Sequence, residues 1–207
     1  MIKIYGANTF NPIKVLLTAE ELNLEYSFVN LNFAKQEHRT PEYLEMNPLG
    51  RVPLLEHDGK FIAESGAICR YLANINDKKL YSDDPFTAAK IDQIVDTFNV
   101  HIGRWIGTYF WQEVICKKYF NKDPDPVAMT EAKKNLNQLL PYLDKLLEGK
   151  TFLNGEDVSI ADTIGFAFFQ VKEITSLDVS EYPNITAWYD NFHLRPSVQK
   201  VKQLMAG

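Results

Sequence analysis

Three segments of this sequence carry residue types that could do chemistry. In Ala63-Glu64-Ser65-Gly66-Ala67-Ile68 a helix signal starts directly after a strand signal. The first amides of a helix lack intrahelical acceptors and sit at the positive end of the peptide dipoles, so this point attracts a carboxylate. Glu64 beside it adds an acceptor for an ammonium group. One charge of each sign is what an α-amino acid head group presents. The same two residues also suit a plain N-cap with a dipole-favouring Glu. In Arg51-Val52-Pro53-Leu54-Leu55 a Pro stands at a strand start, which places it at an edge or a bend. Only about 5–6% of X–Pro bonds are cis, so trans is the expectation from composition alone. A cis bond would turn the Val52 amide and carbonyl outward, where an extended peptide could dock like an extra strand. Further on, His101, Trp105 and Tyr109 recur at i, i+4, i+8, with Arg104 beside them. Aromatic rings offer a flat apolar wall, and His, Arg or Tyr could polarise an electrophile. Core or subunit packing accounts for the same spacing.

The elements that must position these groups differ along the chain. Met1–Tyr5 reads as a strand ending at Gly6, and a helix follows, with Pro12 in its first turn and Ile13, Val15, Leu16, Leu17, Ala19 and Leu22 at helical spacing. Tyr26–Leu31 is a second strand, parallel to the first because a helix separates them. Pro41–Met46 is a short helix. Val52–Glu56 and Lys60–Ala63 flank His57-Asp58-Gly59, a hairpin signal. Ser65–Ala73 is again helical. From residue 86 onward strand signals vanish. Thr87–Tyr119 and Pro126–Leu147 are long periodic stretches, and Ser159–Lys172, Ile185–His193 and Ser197–Met205 are shorter ones. Ser159 with Asp162 three residues on is a capping box ahead of an almost wholly apolar helix. The sequence thus predicts an α/β domain over 1–76 in the order β-α-β-α-β-β-α, a linker over 77–85 and an all-helical domain over 86–207.

The 207 residues are 45% hydrophobic and 24% charged, a globular mixture rather than a disordered or collagen-like one. A formal net charge of −5 gives no basic surface for a phosphate backbone, so nucleic acid is not an expected partner. No apolar run approaches the roughly 20 residues that span a membrane. The two cysteines, Cys69 and Cys116, make no disulfide framework, and the N-terminal run is too short for a signal peptide. A soluble cytoplasmic protein is expected.

The ordered set Asn47-Pro48-Leu49-Gly50-Arg51-Val52-Pro53-Leu54-Leu55, Ala63-Glu64-Ser65-Gly66-Ala67-Ile68-Cys69-Arg70-Tyr71-Leu72 and Ser159-Ile160-Ala161-Asp162 resembles the cytosolic glutathione S-transferases, and the resemblance covers the whole chain. Lys35-Gln36-Glu37-His38-Arg39-Thr40-Pro41-Glu42-Tyr43-Leu44 resembles their phi and theta-like branch, with its nu-like relatives. The resemblance implies a thioredoxin-like N-terminal domain that binds glutathione and a helical C-terminal domain that lines the electrophile site. It implies a cis Val52–Pro53 bond with the Val52 backbone on the cysteinyl part of glutathione. Glu64 and Ser65 would hold the γ-glutamyl head, and His38 and Arg39 would reach the glycyl carboxylate. Glutathione is then a co-substrate, no other cofactor or metal is implied, and the chain would form a homodimer. The activating Ser of the family is here Thr9, whose hydroxyl can donate the same hydrogen bond to sulfur. Nu-like relatives match Asn11, whose amide can also donate. A donor favours S⁻ over SH and raises the thiolate fraction near neutral pH. Thr9 and Asn11 also suit turn and cap roles. Conjugation to small hydrophobic electrophiles is the first expected activity. Glutathione-dependent reduction of disulfides or peroxides is the second, since nu-like relatives need no Cys for it and none lies among residues 1–68. A non-catalytic glutathione-binding module is the third.

Overall fold

The computed structural model describes residues 1–206. It divides into two units, Met1–Asp83 joined by the segment from Arg195 onward, and Asp84–Leu194.

In the first unit, strand β1 (Ile2–Gly6) leads into helix α1 (Phe10–Glu21), and β2 (Tyr26–Asn30) returns parallel to β1. A 3₁₀ turn (Glu37–Arg39) and α2 (Pro41–Met46) precede β3 (Leu54–His57), β4 (Lys60–Ala63) and α3 (Ser65–Asn74). The sheet order is β2-β1-β3-β4, with β3 antiparallel to both neighbours. The β3–β4 hairpin closes on Asp58 and Gly59, both at positive φ (50° and 78°), the conformation of a two-residue type I′ turn. Ile4, Leu16, Leu54, Leu55, Ile68 and Leu72 fill the core between strands and helices. Register fixes where the loops emerge. Tyr5 pairs with Leu54, Leu54 with Ala63, and Gly6 with Asn30. The segments after β1, after β2, before β3 and after β4 therefore all leave one end of the sheet. That end lies beyond the carboxyl ends of the parallel pair, where open α/β sheets bind ligands.

The last helix, α10 (Pro196–Ala206), belongs to this first unit, which differs from the expected domain over 86–207. Arg195 forks onto Glu21 with Nε and Nη2 each 2.6 Å from a carboxylate oxygen, Ser197 donates to the same carboxylate, and Lys200 pairs with Glu20 at 3.1 Å. Planar bidentate geometry makes the Arg195–Glu21 pair a specific anchor.

In the second unit, helical backbone runs without a break from Pro85 to Phe120. It consists of α4 (Pro85–Asp96), a π segment (Thr97–Ile102), α5 (Gly103–Tyr109), a second π segment (Phe110–Ile115) and α6 (Cys116–Phe120). Asp84 caps it by accepting from the Thr87 amide at 2.8 Å. Then come α7 (Pro126–Leu146), α8 (Ile160–Phe169), a 3₁₀ turn (Gln170–Glu173) and α9 (Pro183–His193). Every residue of α8 is buried, as its apolar sequence predicts. The capping box forms. The Asp162 carboxylate accepts from the Ser159 amide and hydroxyl (2.8 and 2.9 Å), and also from the Leu153 amide (2.8 Å) and Trp188 Nε1 (2.9 Å). Burial pushes this carboxyl's pKa up, and the four donors oppose that. Gly103 lets α5 approach α8 closely, since a Cβ there would meet Phe168 Cζ at 2.2 Å.

Candidate glutathione and electrophile sites

Thr9 stands at the sheet end just described, as the N-cap of α1 in an extended conformation (φ −142°, ψ 158°). Its backbone amide donates to Ala7 O at 2.7 Å, but its side chain makes no capping bond. A half-buried hydroxyl at a helix N-terminus is thus left for another partner. Asn11 lies in the first turn of α1 rather than at its cap, because the helix begins before Pro12. Pro is tolerated there, since first-turn amides have no intrahelical acceptor anyway.

On the neighbouring strand the Val52–Pro53 bond is cis. The strand ladder starts at Leu54, so the Val52 N–H and C=O stand outside it. The preceding carbonyl is fixed: Tyr43 Oη and Asn47 Nδ2 both donate to Arg51 O, at 2.7 and 2.8 Å. Asn47 is buried and also closes the turn, as Gly50 N donates to Asn47 O at 2.9 Å.

After β4, Glu64 sits at φ 68°, ψ 112°, an uncommon place for a non-glycine residue. Such a conformation costs about 1–3 kcal/mol and persists only where surrounding structure holds it. It sets Ser65 as the first residue of the ten-residue α3, buried to 8% exposure, with no side-chain cap on the helix amides. Glu64 itself is exposed. An uncapped helix N-terminus beside a carboxylate is the pairing that an amino-acid head group needs.

The loop after β2 supplies a basic cluster. His38 lies in the Glu37–Arg39 turn, its ring 4.4 Å from that of Phe33, and its buried Nδ1 has no hydrogen-bond partner. Arg39 crosses the Gly50 turn and donates from Nη1 to Leu49 O at 3.3 Å. Gly50 is required, because φ is +56° and a Cβ would meet Arg39 Nη1 at 2.7 Å. Burial, then the charges of Arg39 and Arg51, lower the His38 pKa. Two guanidinium groups and an imidazole held neutral therefore converge, and a bound carboxylate would offset the positive charge and favour the imidazolium. Arg51 was not singled out in the sequence; only the folded turn brings it to His38.

Lys14, in α1, is 1% exposed. Its Nζ lies 5.7 Å from the Phe10 ring centroid, and burial lowers its pKa to about 7, against the pull of Cys69 and Glu64. Cys69 is fully buried, receives a hydrogen bond from Thr18 Oγ1 at 3.3 Å, and burial pushes its thiol up to about 11. It offers essentially no thiolate at neutral pH.

The four residues proposed for the electrophile do not share one surface. His101 and Arg104 are exposed and Trp105 is half-buried, with the Arg104 guanidinium 4.7 Å from the Trp105 ring centroid. Tyr109 is 7% exposed, on the same buried side as Phe98, Ile102 and Ile106. Four residues advance a helix about 40° beyond a full turn, so two such steps rotate Tyr109 by roughly 80° from His101. Among the described residues no group of three or more His, Cys, Asp or Glu side chains could hold a metal ion, and no helix is long and apolar enough to cross a membrane.

The family model for the glutathione S-transferase N-terminal domain matches residues 2–74, and that for the C-terminal domain matches residues 106–196. Glutathione S-transferase 1 of Zea mays is 30% identical over 210 residues, covering 99% of this chain and 97% of its own. Glutathione S-transferase hmp2 of Hypomyces subiculosus is 28% identical, covering 94% of each chain. A solved glutathione S-transferase-I bound with lactoylglutathione superposes with TM-score 0.89 at 29% identity, over 99% of both chains. The theta class enzyme of Xanthomonas axonopodis pv. citri, solved with glutathione bound, gives 0.87 at 28% identity, over 96% and 95%.

Proposed function

The chain belongs to the glutathione S-transferase family, and we propose that it activates the glutathione thiol with Thr9 and transfers the sulfur to small hydrophobic electrophiles. The observation that carries this is a convergence at one end of the sheet. An unengaged Thr9 hydroxyl, the Val52 backbone outside the ladder and the uncapped N-terminus of α3 all emerge there. In this reading Val52 pairs with the cysteinyl backbone, which orients the sulfur. Ser65 and the first α3 amides take the γ-glutamyl carboxylate, and Glu64 takes its ammonium. His38 and Arg39, joined by Arg51, take the glycyl carboxylate. The Thr9 O–H then donates to sulfur and favours the thiolate. With an aryl halide, the sulfur forms the new S–C bond, halide leaves with its electron pair, and the thiol proton goes to solvent.

Of the electrophile candidates, His101, Arg104 and Trp105 stay together, and Tyr109 stands apart from them. The half-buried Asn11, in the first turn of α1, supports a second donor and with it glutathione-dependent disulfide reduction. A steady-state panel of glutathione with aryl halides, set beside a small mixed disulfide, tests both. Turnover of aryl halides is expected. No turnover across a broad electrophile panel overturns the transferase reading, and exclusive turnover of the disulfide moves the assignment to reduction.

A further inference from the structure

Tyr109 opens on a cavity of about 290 Å³ that lies wholly within the second unit, between α5, α7 and the segment Ser176–Asp178. Tyr109 is 7% exposed, no described residue hydrogen-bonds its hydroxyl, and that oxygen keeps access to open space. Here the open space is the cavity itself. The pocket is built rather than accidental. The Glu113 carboxylate accepts from the Ser176 amide at 2.6 Å and from the Ser176 hydroxyl, clamping that wall to the long helix. Thr175 Oγ1 donates to Val171 O at 2.7 Å, and the Ser180 amide donates to Asp178 at 2.9 Å, so the segment is held on both sides. Leu136, Leu140, Leu177 and Met129 supply apolar lining. The mouth carries Lys133 and Asp178, one charge of each sign, beside the exposed amide of Asn137.

We propose that this cavity binds a small uncharged aromatic molecule whose carbonyl or ether oxygen accepts a hydrogen bond from Tyr109. Three features select that chemistry. The volume equals that of roughly ten liquid waters at about 30 Å³ each, room for one substituted ring. It is at the lower end of the roughly 300–1,000 Å³ usual for ligand pockets. Burial and then the Glu113 carboxylate raise the Tyr109 pKa, so the phenol stays a donor, while the same carboxylate repels an anion at that point. Lys133 does not reverse this, because the ionised Asp178, held by Ser180 and facing Lys133, balances its charge. The site is distinct from the glutathione-binding residues, all of which lie in the first unit.

Acetophenone and benzoate, alike in shape and unlike in charge, separate the possibilities. Each is titrated into the full chain saturated with S-methylglutathione, with amide chemical shifts read by NMR. Acetophenone is expected to bind saturably and shift Tyr109 and Ser176–Asp178. Tyr109→Phe keeps the ring and should weaken binding about three- to tenfold, the effect of one neutral hydrogen bond. Asn137→Trp, at an exposed rim position that does not test the core, should block entry and abolish the shifts. Absence of saturable acetophenone binding, shifts confined to other residues, or indifference to both substitutions overturns the proposal. Equal or tighter binding of benzoate overturns the uncharged class.

Discussion

Thr9→Ala should separate catalysis from stability. A Thr that caps a helix typically contributes about 1 kcal/mol, and its loss appears in the melting temperature. Thr9 occupies the cap position of α1 but makes no side-chain capping bond. The substitution should therefore leave thermal stability nearly unchanged, within about 0.5 kcal/mol, or roughly 1–2 °C for a chain of this length. Its kinetic effect should be large. A hydrogen bond to a charged group is worth about 1.5–3 kcal/mol, equivalent to about ten- to hundredfold in rate. The same loss should raise the pKa of bound glutathione by about one to two units. Ultraviolet thiolate absorbance against pH reads that pKa directly, and calorimetry reads affinity. Affinity should hardly move, because Glu64, Ser65, His38 and Val52 remain. Thr9→Ser should keep most of the activity. Asn11→Ala is the decisive companion, since Asn11 lies inside the helix and not at its cap. A larger loss at Asn11 than at Thr9 transfers the donor role. An unshifted thiolate pKa in both variants refutes hydrogen-bond activation. A fall of several degrees in Thr9→Ala, with rate loss in proportion, would show that the hydroxyl serves the helix instead.

Lys14 has a folded pKa of about 7 against the ordinary lysine value of 10.5, so between those values the unfolded chain binds more protons and stability should rise with pH. Urea midpoints from pH 7 to 9 should climb by up to about 1.4 kcal/mol per unit, and Lys14→Met should flatten the curve and stabilise the protein at pH 7. Above pH 9 the buried Cys69 thiol, its pKa raised to about 11, works in the opposite direction, so a climb continuing unchanged to pH 11 would contradict the assignment. Asp162→Asn presents an NH₂ group to a set of four donors, so calorimetric unfolding should show a loss of about 3 kcal/mol, or roughly 6–12 °C. Light scattering at micromolar concentration should give twice the 23.8 kDa chain mass, since exposed apolar groups such as Phe86 and Val100 line the long helical stretch; a monomer would remove the homodimer.

Local chemistry was legible in the sequence wherever a few adjacent residues decide the conformation. Asp58-Gly59 specified its hairpin because both positions need positive φ. Ser159 and Asp162 specified a helix start because two orphan amides are satisfied within four residues. Glu64 and Ser65 marked a helix N-terminus next to a strand end, and both features are present. What escaped depends on contacts across long separations. The Arg195–Glu21 pair joins residues 174 apart, and no local pattern tells an amphipathic C-terminal helix which unit it will cover. Arg51 reaches His38 only through the Gly50 turn, which itself depends on Asn47 and Tyr43 holding the Arg51 carbonyl.

The electrophile candidates show a third limit. The i, i+4, i+8 repeat of His101, Trp105 and Tyr109 looks like one stripe, yet it winds around the helix rather than along it. π segments on either side of α5 change the angle per residue locally, and apolar composition alone does not mark them. Packing then decides: Gly103 brings α5 against Phe168, which fixes which side of the helix is buried. Tyr109 falls on that side and His101 does not. A residue chosen for one site thus lines a different cavity, and its hydroxyl, with no described protein partner, can donate to a ligand there.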